Sequence, residues 1–198
     1  MEINRLQLDA LREIGNIGSG HAATALSTML NRRIEMSVPE IKAIPFQEAA
    51  SVMGELDIPQ AVIYVKVEGE APGEAVFFIP LESAQILVQA LFNSDENYNL
   101  FENEMAQSAL MEMGNIMVSS FIIALTEFSK VPLAPSVPAL AVDMVGAIFD
   151  AIILEDGVLE DTVIFINTHL TGIPKIEGKF VFLPDEGSLT KLLGALGV

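Results

Sequence analysis

The chain has no cysteine and no tryptophan, and its 198 residues include only two histidines, His21 and His169. Without cysteine there can be no disulfide, thiolate nucleophile or cysteine-held zinc or iron–sulfur centre. Two histidines are too few for a three-histidine metal site, and nothing in the sequence pairs either with an activated serine. Positive charge is also scarce: 10 Lys and Arg stand against 27 Asp and Glu, a formal net charge of −17. Nucleic acid and anionic membrane surfaces both require a basic face, so neither is an expected partner. The negative surface either keeps the protein soluble or speeds its encounter with a basic patch on a protein. No unbroken apolar run reaches the ~18 residues of a membrane span. Residues 1–9 carry charge and lack the apolar core of a secretory signal. A cytoplasmic protein without membrane insertion is the expectation. The acidic residues are scattered and form no D-x-D-x-D-G calcium loop, so no metal site is expected. Any chemistry must rest on carboxylates, amides and hydroxyls.

What the chain does have is an internal repeat. Residues 11–20 read LREIGNIGSG and residues 110–119 read LMEMGNIMVS. Glu13 and Asn16 recur as Glu112 and Asn115, 99 residues later, and Asp9 is mirrored by Ser108 at the same offset. The tripeptide S-V-P ends at Pro39 and again at Pro138. GEAVFFIPLE, from Gly73, has a counterpart in GKFVFLPDEG, from Gly178. The chain therefore reads as one domain of two homologous halves, 1–97 and 98–198, with 51% apolar residues to fill a core.

Proline-free helical spacing predicts long helices over 4–31 and 102–129. Short strands are expected at 34–38 and 133–137, and hairpins at 61–68 with 73–79 and at 162–169 with 175–183. Helices should close each half at 81–92 and 188–196, and two more are expected at 46–53 and 142–153, with a polar linker at 93–100. Joined across a pseudo-twofold axis, the halves should make an α/β/α sandwich with a largely antiparallel six-stranded sheet and two long helices carrying the sites.

On a helix, Asp9, Glu13 and Asn16 fall at i, i+4 and i+7, which is one face; Ser108, Glu112 and Asn115 do the same. Asn is a mediocre helix former, so a mid-helix Asn beside glycine, twice, calls for a reason. Either it bonds to buried backbone in the core or it serves a site. The stretch GNIGSG is not a phosphate loop, since it lacks the Lys-Ser/Thr ending and no strand precedes it; Gly18 and Gly20 are instead expected to let two helices approach closely.

The pattern D/S-x3-E-x2-N-x22-P, met at Asp9-Glu13-Asn16-Pro39 and Ser108-Glu112-Asn115-Pro138, resembles the signature of the CheC, CheX and FliY phosphatases over nearly the whole chain. Two such sites, with no switch domain after Val198 and no docking peptide before the first helix, make the resemblance one to the CheC type. It implies hydrolysis of the aspartyl phosphate on the receiver domain of a CheY-type response regulator. Asn16 and Asn115 would orient the attacking water, as a glutamine does in GTPases. Glu13 and Glu112 would pair with the receiver's active-site lysine. Pro39 and Pro138 would shape the end of the strand beside each helix. The protein would need no cofactor of its own, Mg²⁺ being held by the receiver. The alternative is a non-enzymatic docking module like the FliM middle domain, which shares the fold but lacks the Glu/Asn pair. The resemblance also implies binding of the receptor deamidase CheD. The helix expected at 142–153 breaks the repeat and presents Met144, Val145, Ile148 and Phe149 as one apolar stripe. Asp143 would cap that helix at the exposed edge of a CheD-docking surface; otherwise the stripe is core.

Overall fold

The structure is a computed structural model that describes residues 3–155, 161–172 and 176–198. Thirteen elements are present among them. Helix α1 (Arg5–Met29) starts at a reciprocal cap: Asn4 Oδ1 accepts from the Gln7 N–H at 3.0 Å, and Gln7 Oε1 accepts from the Asn4 N–H at 2.9 Å. Strand β1 (Glu35–Pro45) and helix α2 (Phe46–Met53) follow, then the hairpin β2 (Pro59–Gly69) and β3 (Gly73–Pro80), and helix α3 (Leu81–Phe92). Helix α4 (Glu104–Ser129) opens the second half, with Asn103 Oδ1 accepting from the Ala106 N–H at 2.9 Å. It leads to β4 (Leu133–Pro135), β5 (Ala139–Met144), α5 (Val145–Glu155), the hairpin β6 (Thr162–Thr171) and β7 (Ile176–Pro184), and α6 (Ser188–Ala195).

All the strands join one antiparallel sheet in the order β1-β6-β7-β3-β2-β4, with β5 also paired to β2. The centre of the sheet is the contact between the two hairpins, β3 against β7. Each hairpin is then extended by a strand from the other half of the sequence. β1 pairs with β6, Pro45 opposite Thr162, while β5 pairs with β2, Gln60 opposite Asp143. Gly69 and Gly172 end the first strand of each hairpin at φ of 123° and 100°, with the carbonyls of Pro132 and Arg33 packed where a side chain would stand.

The sheet separates two cores. On one face α1, α4, α3 and α6 bury Leu11, Ile14, Leu26, Leu87, Leu110, Met113, Leu125, Leu189 and Leu192 against Ile63, Phe77, Ile166 and Phe180. On the other, α2 and α5 cover Val62, Val76, Phe78, Phe165 and Val181. Phe149 of α5 stacks on Phe78 at 5.7 Å and meets Phe46 of α2 edge-on at 6.5 Å. Lys179 Nζ donates to the carbonyls of Met53 and Val52 at the end of α2, at 2.7 and 3.4 Å, and burial lowers its pKa. Helix α4 is long and apolar enough to cross a membrane by length and composition, yet 61% of its most apolar window is buried inside the fold.

The α/β/α layering, the hairpins and five of the six helices match the sequence reading; residue 175 of the second hairpin lies outside the described residues. Three features differ. The sheet has seven strands rather than six, because the expected strand near 133–137 is cut short as β4 and a further strand, β5, follows it after a break. β1 runs on to Pro45, because β6 offers pairing partners beyond Pro39. Residues 142–144 belong to β5, so the expected helix over 142–153 starts at Val145.

Candidate functional site

The polar stripe of α1 is open to solvent: Asp9, Glu13 and Asn16 are all exposed. Its opposite face, Leu11, Ile14, Gly15, Gly18 and Ala22, is buried. Gly15 sits over Val38, and a Cβ at Gly18 would touch the α4 backbone, at 3.0 Å from Phe121 Cα. The helix is thus pressed against β1 and α4 by its small residues, and the stripe faces outward as a consequence. Gly20 plays no such part. A Cβ there would meet nothing within 4 Å, so the expected role in helix approach holds for Gly18 and fails for Gly20.

On α4, Ser108 and Glu112 are exposed and Asn115 is half-buried. Gly114 faces the sheet so closely that a Cβ would collide with Ile63. Ser119, one turn after Asn115, donates its hydroxyl to Asn115 Oδ1 at 3.1 Å. Asn16 has no counterpart of this bond, because Gly20 stands at the matching position. Among the described residues, Glu13, Asn16 and Glu112 have no side-chain partner within the chain. Neither Asn bonds to buried backbone, so the core-anchoring explanation for them is set aside.

Both prolines lie beside their helices but do not end a strand. Pro39 sits inside β1, where the register with β6 shifts between Ser37 and Glu40, and Arg12 Nη2 reaches the Pro39 carbonyl at 3.4 Å. Pro138 lies in the break between β4 and β5. With no N–H to give the ladder, proline interrupts pairing at each point. The break frees Ser136, whose N–H and hydroxyl both bond to the Lys66 backbone, at 2.8 and 3.0 Å.

Two apolar residues extend the stripes. Leu6 is 63% exposed and Met105 is 70% exposed, and they occupy the same repeat position, three residues before Asp9 and Ser108. The sequence reading missed them, as it missed Ser119 and Arg12. The signal available was spacing: Leu6, Asp9, Glu13 and Asn16 share one helical face. Asp143 is exposed on β5 and accepts from the neighbouring Met144 N–H at 2.8 Å; it does not cap α5. Beside it, Val62, Tyr64, Ala139, Ala141, Ile148 and Ile152 line an apolar groove of about 190 Å³. Val145 and Phe149 of the expected stripe are buried and Met144 is exposed, so the stripe is divided between core and surface. Among the described residues no three or more His, Asp or Glu are grouped to hold a metal ion.

Comparison with known proteins adds a family. The CheC-like family profile matches residues 6–42 and 105–142, the two segments that hold the stripes and their prolines. The chain is 37% identical to the CheY-P phosphatase CheC of Bacillus subtilis (strain 168) over 203 residues, covering 98% of this chain and 96% of that protein. It is 29% identical over 131 residues to the flagellar motor switch phosphatase FliY of the same organism, covering 65% of this chain but only 34% of the relative. In fold it resembles Thermotoga maritima FliY, with a TM-score of 0.79 at 22% identity over 100% of this chain and 98% of that one. It also resembles the FliM middle domain of H. pylori, with a TM-score of 0.70 at 12% identity over 98% and 99% of the two chains. With a full-length relative at that level of identity and its signature present twice on exposed helix faces, the chain belongs to the CheC-like family.

Proposed function

We propose that this protein is a phosphatase that hydrolyses the aspartyl phosphate of a CheY-type receiver, at two sites built on α1 and α4. The phosphatase class rests on the relationship to B. subtilis CheC. The observation that carries the site assignment is the recurrence, 99 residues apart, of a solvent-facing Glu followed one turn later by an Asn, exposed on α1 and half-buried on α4, both carboxylates unpartnered among the described residues.

An acyl phosphate has a good leaving group, so what the receiver lacks is a water held in line. Asn16 or Asn115, entering the receiver's site, accepts from the water through its carboxamide oxygen and donates through its nitrogen. The water oxygen bonds to phosphorus as the bond from phosphorus to the aspartyl oxygen breaks, releasing inorganic phosphate and a free aspartate. No covalent intermediate on this protein is needed. Glu13 or Glu112 pairs with the receiver's lysine and fixes the pose. The magnesium ion in this chemistry belongs to the receiver, which is substrate. Asp9 and Ser108 flank the pair, and Pro39 and Pro138 interrupt strand pairing beside the helices. We read the chain as one domain of two homologous halves, 1–97 and 98–198, working in the cytoplasm where the receiver is.

The test follows loss of label from a phosphorylated CheY-type receiver. Changing both Asn16 and Asn115 to Ala should lower turnover by ~10²-fold or more with the circular dichroism unchanged; near wild-type turnover would remove the assignment. The groove beside Asp143 favours a second contact, docking of a CheD-type deamidase on the α5 face. Asp143→Lys should weaken CheD binding in a titration and leave hydrolysis intact, and unaltered affinity would place that surface elsewhere.

A further inference from the structure

We infer that Ser119 is a positioning residue for Asn115, and that its replacement by Gly20 in the other half leaves the Asn16 site less ordered and slower. This rests on the phosphatase reading above. A serine or threonine inside a helix normally turns its hydroxyl back to the carbonyl four residues earlier. The other hydroxyls of α1 and α4 include four that do so: Thr24 to Gly20, Ser27 to Ala23, Thr28 to Thr24 and Ser129 to Leu125, at 2.9, 2.6, 3.2 and 2.7 Å. Ser119 instead gives its proton to the side chain of Asn115, the residue whose backbone carbonyl it would otherwise use. The bond selects one face of the carboxamide. It holds Oδ1 toward the helix C-terminus and turns Nδ2, the donor, the other way. A carboxamide oxygen has two lone pairs, so one remains for the water. The half-buried setting of Asn115 and Ser119 adds to the restraint. Asn16 is exposed, with no partner on its own helix, and must be ordered by the receiver at each encounter. Ordering a rotamer-rich side chain only in the complex raises the barrier, and a preformed rotamer avoids that.

The open space at Gly20 makes the idea testable in both directions, since a side chain there meets nothing within 4 Å. Single-site proteins isolate each half: Asn115→Ala leaves only the α1 site, and Asn16→Ala leaves only the α4 site. In the Asn16→Ala protein, Ser119→Ala should lower kcat about three- to tenfold, the range that one neutral hydrogen bond spans, with KM little changed; Ser119→Thr should restore it. In the Asn115→Ala protein, Gly20→Ser should raise kcat by a similar factor. Gly20→Ala, which strengthens the helix at least as much without a hydroxyl, should not. An unchanged kcat in both Ser119→Ala and Gly20→Ser, measured in single-site proteins that hydrolyse the receiver phosphate, overturns the inference and leaves the phosphatase reading standing. Single-site proteins that turn over no receiver phosphate, from a wild type equally inactive, overturn both.

Discussion

The two halves of the molecule carry the same Glu/Asn pair in different surroundings. On α1 the pair lies on a helix whose exposed face is polar from Asp9 to Thr24, with Arg12 reaching to the Pro39 carbonyl below. On α4 the pair stands on a more deeply buried helix, with Met111 where Arg12 would be and a serine holding the asparagine. The difference teaches that the repeat preserves which groups face outward and leaves their restraint to local packing. The sheet edges differ in the same way. β1 carries Glu40 and Lys42, ion-paired at 2.8 Å and tied to Asn167, while β5 offers Ala139 and Ala141 at the matching positions. Charges on an edge strand discourage further pairing, so the first half is closed on this face where the second is open.

What the halves share should give the largest effect when removed. Replacing Glu13 and Glu112 together by Gln deletes a charge-assisted bond at each site, of order 1.5–3 kcal/mol, and should raise KM by at least about tenfold with kcat nearly kept. A steep fall in kcat at unchanged KM would instead put the carboxylates in the transition state. Next comes packing. Gly114→Ala drives a methyl into Ile63 and should destabilise the fold by about 1–3 kcal/mol, a fall of several degrees in Tm. Gly15→Ala meets Val38 at an ordinary 3.6 Å, so the gain in helix propensity is not offset and Tm should hold or rise slightly. Equal shifts would mean that the helices sit alike on the sheet. The single asparagine changes are smaller still: Asn115→Ala should remove more than half of total turnover and Asn16→Ala less than half, and equal halves would erase the difference in restraint. The smallest effect belongs to the β1 edge. The Lys42 hydrogen bond, opposed by burial and helped by the Lys42 charge and the Asn167 bond, lowers the Glu40 carboxyl pKa below the ordinary 4.5. A lowered carboxyl pKa stabilises the fold above about pH 4.5 and loses that contribution as pH falls further. Both partners are well exposed, so Glu40→Gln should lower Tm only slightly at neutral pH. The gap should narrow as pH falls below 4.5.

The long helices, both hairpins and the Asp9-Glu13-Asn16 face were legible because each depends on local periodicity. The length of β1 was not, since the residues that pair with it lie in β6 and nothing near Pro39 announces them. Residues 142–144 read as helix because Asp143 has the chemistry of a helix cap and Met144 fits the apolar stripe that continues through Val145, Ile148 and Phe149. Pairing with Pro59–Ala61 decides for strand. Gly20 looked like Gly18 in sequence, and only the position of α4 separates them. Ser119 could have been noticed four residues after Asn115, but an i+4 hydroxyl is ordinarily spent on the backbone.

The crossed pairing of the sheet has a consequence for how the protein is made. Helix α1 rests on Val38 of β1, and β1 is held in the sheet by its pairing with β6, so the platform under α1 is complete only when residues near the end of the chain have been synthesised. Contacts so distant in sequence slow folding. They also tie the folding of the proposed Asn16 site to the last strands, so a chain that stopped after the first half would leave that helix without its platform.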